Sequence, residues 1–489
     1  MNIGISRRRV LAAGAAAAAS LLLRAARATP AVDLSALRRH FHGVLVVPGS
    51  TDYGRERRTF VFNPNTDKYP AVIAKCSSED DIAVCLKFAA ANGLDVAVRS
   101  GGHDFLGAST CDGGILIDTR PMASCQLSVS GATVVVGAGA KTGEVTDLLQ
   151  RSNRAVPFGD SGGVGVAGLT LGGGYGWLSG KYGATCDTLL RARLVLSDGR
   201  RVLASEDEHP DLFWAIRGGG GNFGVVSQLE YATCEVGSVL AGQVVFAATD
   251  IGRFFRFYRD YMAGAPDELA IEVGIVPAEQ MLIVAQVCWS GDVETGERVL
   301  APLLTYGPPL AVGVSQRPYN QIGYAPPEIQ ALLHRPPTNT PQSAETSGAQ
   351  LRGGSLGQLG DGAIHEIIAR LGTAQGRWGF SLTHHLHGVV CRSPPTNTAL
   401  VRPQGSFSYH FDATWDDAGQ AMHQMEWVEQ SLAALKPHSI PTYVNYLSSD
   451  DPLDVQRTYG ANFAKLQSVK RRYDPTNTFH HNRNIRPAI

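Results

Sequence analysis

Three glycine-rich clusters between residues 93 and 224 constrain this chain more than any other feature. They are Ser100-Gly101-Gly102-His103-Asp104, the run from Gly165 through Gly168-Leu169-Thr170-Leu171-Gly172-Gly173-Gly174-Tyr175-Gly176, and Arg217 through Gly221-Asn222-Phe223-Gly224. Glycine serves where backbone must approach another backbone, or a ligand, more closely than a side chain permits. The 55 glycines follow no collagen-like period and sit in no Ser/Gln-rich tract, so neither a fibre nor disorder explains them. Three loops rich in bare N–H groups can form anion-binding nests around a pyrophosphate. Tight packing between antiparallel strands would select glycine as well.

The third cluster fits the dinucleotide pattern GxGxxG from Gly219 to Gly224. That pattern binds a dinucleotide in the Rossmann manner only when a helix follows it. Here Val225 to Tyr231 alternates and is β-branched, which predicts a strand. The Rossmann reading is therefore set aside, and the chain carries no Walker A sequence.

With 489 residues, 44% of them hydrophobic, the chain can build more than one core. Lys plus Arg (43) balances Asp plus Glu (44), so no global field favours nucleic acid. Ala71–Ala74 and Leu94–Val98 read as strands around a helix, with Ser77-Ser78-Glu79 as its start and Gly93 as its stop. Ile115–Asp118 and Ala132–Val136 are further strands, Val145–Leu149 is helical, and Ser197-Asp198-Gly199-Arg200 is a hairpin turn. Beyond Val236 the glycine clusters thin and alternating strands appear at Ile271–Val276 and Leu282–Trp289. Arg335–Pro341 reads as an exposed loop, and Tyr459, Phe463, Leu466, Val469 and Tyr473 as one face of a single helix stopped by Asp474-Pro475.

Residues 1–28 read as an address. Ser6-Arg7-Arg8-Arg9 resembles a twin-arginine export motif, the apolar run Val10–Leu23 is short, and Ala26-Arg27-Ala28 resembles a cleavage site. The run falls below the ~18–20 residues that span a bilayer, so stable membrane insertion is not expected. The expectation is export by the twin-arginine machinery of a bacterium to the periplasm or medium. The 8 cysteines form no CxxC and no zinc-like spacing, and packed thiols are the simplest account.

Taken together, Arg99–Asp104, Gly168–Gly176, Asp211-Leu212-Phe213-Trp214-Ala215-Ile216-Arg217, Tyr443-Val444-Asn445-Tyr446 and Tyr473–Phe479 resemble the FAD-linked oxidases of the vanillyl-alcohol-oxidase superfamily, in the berberine-bridge-enzyme-like branch. The resemblance spans about Asn63 to Arg486. It implies an α+β fold: a two-part FAD-binding domain of the PCMH type, and a substrate domain with an antiparallel sheet covered by helices. The expected segments are 29–235 for the FAD domain, with its core from about 66, 236–440 for the substrate domain, and 441–489 returning to the first.

The resemblance also implies the site. His103 stands where the family bonds a histidine to the flavin, so FAD is expected to be covalently attached there. Arg99, Ser100, Gly101, Gly102 and Asp104 would complete the first cofactor loop, and Gly168, Thr170, Gly172, Gly173, Gly174 and Gly176 the second. Gly221, Asn222, Gly224 and Val226 would supply the third, joined by Asn482 and Asn484 near the C-terminus. Many relatives add a cysteinyl link in a G-x-C-P-x-V-G segment. Here Gly159–Gly165 has Ser161 at the cysteine position, so a single link is expected, with Cys186 a packed thiol. Val164 matches the position where valine accompanies oxidases and isoleucine accompanies poor oxygen reactivity.

For chemistry, Tyr443, Asn445 and Tyr446 are expected in a ring-facing strand, Tyr443 and Asn445 on one face and Tyr446 on the other. A tyrosine can serve as base if its phenolate is stabilised, and Tyr443 is the choice. Thr383-His384-His385-Leu386-His387 offers His385 and His387 on one strand face, as proton-transfer partners or a chance metal pair; no metal is assigned. The expected reaction takes hydride from an alcohol, hemiacetal or secondary-metabolite carbon to flavin N5, with O2 reduced to H2O2. A dehydrogenase of the same fold, or a flavin-bearing binding protein without turnover, are the alternatives.

Overall fold

The computed structural model describes residues 32–333, 348–394 and 396–488. The leader expected at residues 1–28 and the loop expected at Arg335–Pro341 lie outside them. The fold is mixed, with three main sheets.

A four-stranded sheet orders Val44–Val46, Val72–Lys75, Ile115–Asp118 and Val96–Arg99. Its last three strands are parallel, which requires crossovers, and Glu79–Asn92 is the first of these. That helix begins where the Ser78 hydroxyl accepts from Asp81 N–H and ends at Gly93, whose φ of +62° suits a residue without Cβ. Beside it lies a five-stranded antiparallel sheet, ordered Cys125–Leu127, Thr133–Gly137, Val225–Ala232, Leu189–Val195 and Arg201–Ser205. Val225–Ala232 at its centre follows the GxGxxG pattern as a strand, as its alternation predicts. The Asp198 turn closes a hairpin through Leu196 N–H to Arg200 C=O, with Gly199 left-handed.

The third sheet is antiparallel and draws its strands from between Ser238 and Ile440. In Leu269–Val276 the residues alternate in burial. Ile271, Val273 and Ile275 pack with Phe254, Phe255 and Tyr258 of helix Ile251–Ala263, and with Trp427 and Val428 of helix Ala418–Leu435. Burying each such side chain stabilises the domain by roughly 1.5–3 kcal/mol before chain entropy is charged against it. The opposite register, Ala270, Glu272 and Gly274, is left for the site.

Two sequence expectations fail locally. Tyr459 and Phe463 do not share one helix: Pro452–Tyr459 ends, Gly460 turns at φ +49°, and Phe463–Tyr473 starts anew. The 3.6-residue period continued across a glycine that breaks the backbone. Nor is Tyr443–Tyr446 a strand. Val444–Tyr446 is a turn of 3-10 helix, closed by Tyr446 N–H to Tyr443 C=O at 2.8 Å.

The C-terminal segment is tied to the third glycine cluster. Asn222 donates to Gly219 C=O at 3.0 Å and accepts from Ile485 N–H at 3.0 Å. Lys470, with no exposed side-chain surface, donates to Asn222 C=O at 2.7 Å, to Phe479 C=O at 2.8 Å and to the equally buried Asp474 at 2.7 Å.

Candidate active site

The three glycine clusters meet. Gly101 and Gly165 press backbone on backbone: a Cβ on Gly101 would stand 2.3 Å from Gly165 N, and one on Gly165 2.2 Å from Gly101 N. The second cluster is largely a short helix, Val166–Leu171, rather than the flexible loop its composition suggests. Ser100, Gly168, Gly221, Gly224, Val226 and Asn482, all expected in the cofactor set, line a single cavity. A Cβ on Gly168 would project into open space there. Val96, Val98 and Phe479 add apolar surface, and Thr119 and His481 polar groups. Apolar walls with a few convergent polar groups suit a flat nucleotide cofactor. Asn484 Oδ1 is buried without a partner among the described residues, as expected of a group awaiting a ligand.

Other expected members support the cavity from behind. Arg99 is buried, and its guanidinium donates to the carbonyls of Glu56, Arg57 and Ser109; burial lowers its pKa to about 10. Asp104 accepts from Ala108 N–H at 2.6 Å and from Ser109, capping the turn after the histidine. Thr170 hydroxyl bonds Val166 C=O and Tyr231 hydroxyl, both at 2.7 Å. Gly173 and Gly174 have φ of +119° and +84°, and a Cβ on Gly176 would meet Phe158 C=O at 2.0 Å. Their glycines serve close approach between protein segments, which is the packing alternative the sequence left open.

Gly102, at φ +70°, turns His103 out of the sheet. The imidazole stacks on Phe60 at 4.0 Å, and burial lowers its pKa, opposed by Asp160 and Asp104. A neutral ring keeps a lone pair. A Cβ on Gly163 would lie 3.9 Å from both His103 Nε2 and Ser161 Oγ, so the histidine and Ser161 flank one space. Val164 is half-buried in the adjoining core. Cys186 is fully buried there, and burial raises its thiol to about 12, which fits a packed thiol.

Tyr443 and Tyr446 are separated by their partners. Tyr443 hydroxyl accepts from Gly174 N–H at 2.8 Å and Asn445 Nδ2 at 2.7 Å. Asn445 also donates to Leu169 C=O at 3.2 Å, and a Cβ on Gly172 would collide with its Oδ1 at 2.0 Å. Tyr446 hydroxyl instead faces His384 Nε2 at 3.3 Å, the rings parallel within 2°. His384 Nδ1 lies 3.9 Å from Glu272 Oε1, and atoms of Asp160, Glu272 and His384 lie within 4.8 Å of one another. Burial, reinforced by Asp160, holds the Glu272 carboxyl well above the usual carboxylate range.

His384 is the histidine that period-two counting passed over. A β-bulge between Leu382 and His384 puts Thr383 out of register with Phe407–Trp415 and exchanges the faces. His385 packs on Phe407 at 4.6 Å, with burial lowering its pKa to about 3, and His387 bonds His385 C=O at 3.0 Å. Glu272 and Asp160 were also missed. The alternation of Ile271–Val276 marked Glu272 as the charged position on the face away from the helices, which is the one signal that could have found it.

Residues 70–205 match the family "FAD binding domain" and residues 442–486 the family "Berberine and berberine like". The chain is 29% identical over 447 residues to (R)-6-hydroxynicotine oxidase of Paenarthrobacter nicotinovorans, covering 86% of this chain and 91% of that protein. It is 28% identical over 443 residues to the chitooligosaccharide oxidase of Gibberella zeae, covering 86% and 87%. The crystal structure of 6-hydroxy-D-nicotine oxidase from Arthrobacter nicotinovorans superposes with a TM-score of 0.81 at 25% identity, over 94% of this chain and 100% of that one. The fold and cavity thus define an FAD-linked oxidoreductase of the PCMH type. Within that class, the C-terminal segment carries the berberine-like domain, and the chain resembles the berberine-bridge-enzyme-like FAD oxidases.

Proposed function

We propose that this protein is an oxidase of a small polar substrate, holding FAD through a single bond to His103 and using O2 as terminal acceptor. The pair Tyr446–His384 carries the reading. Its hydroxyl–imidazole contact of 3.3 Å lies beside the glycine loops, and the other imidazole nitrogen stands 3.9 Å from Glu272, beyond hydrogen-bond reach. When bound, FAD supplies the two-electron acceptor and passes the electrons to O2. The protein's task is then to take the substrate's proton. Tyr446 is the base in this reading, because its hydroxyl proton can pass to His384 Nε2 and leave the oxygen free to take the substrate's. Tyr443, with two donors on its oxygen, positions Asn445 and the glycine backbone. This reverses the choice of Tyr443, which rested on a strand alternation the 3-10 turn does not have.

An alcohol or hemiacetal carbon fits the relay, since its hydroxyl proton must leave with the hydride. The convergence of Asp160 and Glu272 favours a second reading, a substrate with an ammonium group that the carboxylates would hold. Both substrate types have counterparts in the relatives' names, a hydroxynicotine and a chitooligosaccharide. Sugars, phenolic alcohols and secondary amines should be screened for anaerobic bleaching of the flavin, then for peroxide in air. Bleaching without peroxide, with fast turnover on an artificial acceptor, would make the protein a dehydrogenase. Absence of bleaching by every class would remove the catalytic reading. Denatured protein should stay yellow, and His103→Ala should release the flavin on denaturation; a peptide map with flavin on Cys186 would refute the single link.

A further inference from the structure

We propose that Asp95, His480 and His481 form a binding site for a divalent transition-metal ion of the zinc class, on the rim of the nucleotide cavity. Asp95 precedes the strand Val96–Arg99, while the histidines belong to the C-terminal segment. One donor atom from each lies within 4.8 Å of the others. His480 Nε2 is 3.7 Å from one Asp95 oxygen and His481 Nε2 3.9 Å from the other. Both distances exceed a hydrogen bond, so no proton bridges them.

The tautomers make the cluster a ligand set. His480 Nδ1 lies 3.0 Å from Asn477 C=O, and a carbonyl only accepts, so Nδ1 carries hydrogen. In the neutral ring, Nε2 then turns a lone pair toward a carboxylate. His481 Nε2 is buried with no hydrogen-bond partner among the described residues. The His480 lone pair, the unpartnered His481 Nε2 and a carboxylate thus converge, an arrangement a cation relieves. Around a tetrahedral ion with bonds of about 2.0–2.1 Å, donors stand roughly 3.3–3.5 Å apart, so three atoms within 4.8 Å of one another need draw in by at most about 1.5 Å, which rotation of the exposed Asp95 carboxylate can supply. The His480–Asn477 bond is the backbone-carbonyl support that metal-bound histidines use. Water would complete the shell, since Asp95 keeps 57% of its side-chain surface exposed.

The site shares no residue with the Tyr446 relay and holds whether or not the proposed oxidation is correct. The test is titration of tag-free, flavin-loaded protein with Zn2+ by calorimetry and with Co2+ by visible absorption. One saturating equivalent with a nitrogen-ligated Co2+ spectrum is expected. Asp95→Asn and His480→Gln should each weaken it by about tenfold or more, with the flavin spectrum unchanged to show that the fold is kept. No saturable binding by the parent protein, or binding that survives either substitution, would overturn the site.

Discussion

At the scale of single residues, the proposed chemistry rests on the Tyr446 phenol, and Glu272 is a buried carboxyl beside it. Tyr446→Phe removes the hydroxyl that faces His384 and should slow flavin reduction by about 10²–10⁴, the usual contribution of a positioned acid or base. Rapid anaerobic mixing measures this, and Tyr443→Phe should cost clearly less; the reverse order would return the base to Tyr443. Glu272 has a pH signature in stability. Its folded pKa lies above the unfolded value, so its favourable contribution is complete below the unfolded pKa and is lost as pH rises through the folded one. Glu272→Gln removes that loss. The variant's melting temperature should therefore gain on the parent's as pH rises from 4 toward 8, and equal pH profiles would show that the carboxyl ionises freely. At Val164, one extra methylene in a tightly packed interior should obstruct oxygen. Val164→Ile is expected to slow reoxidation by O2 about tenfold or more in stopped-flow mixing.

At the scale of elements, short-range geometry overrides periodicity. The 3-10 turn at Val444–Tyr446 sends two tyrosines to different partners, and the bulge at Thr383 exchanges the strand face that meets the site. Neither device leaves a reliable mark in sequence, because each depends on the strand or loop lying opposite. Gly172 shows the dependence from the other side: its φ of −84° is ordinary, and the Asn445 side chain is what stands nearest a Cβ there. Gly172→Ala should cost about 1–3 kcal/mol through overpacking. In an Asn445→Ala background it should cost much less, and a denaturant double-mutant cycle reads the difference.

For the whole molecule, a buried cation helps tie the C-terminal segment to the third glycine cluster. Lys470 joins Asp474, Phe479 and Asn222, and both members of the ion pair have no exposed side-chain surface. Lys470→Met strands a buried carboxylate and should destabilise the fold by about 3–5 kcal/mol, with the third glycine loop loosened and flavin retention reduced. Denaturant unfolding monitored by flavin fluorescence checks both.

What the sequence determined by itself was local or repeated. The capped helix after Ser78, the strand after Gly224 and the alternating strands beyond Val236 follow from periodicities that side chains impose on their own backbone. The glycine clusters likewise announced a cavity, and six expected residues line it, because close approach leaves its trace in every loop that takes part. The tertiary structure alone decided which glycines face the cavity and which face protein, and that Arg99 and Asp104 brace the histidine loop. It alone brought Asp160, Glu272 and His384 together, and Asp95 to His480 and His481. Those groups are separated by 112, 112 and 385 positions respectively (272 − 160, 384 − 272, 480 − 95). Over such distances the hydrogen bonds and desolvation that set their roles belong to the packed fold, and no local pattern encodes them.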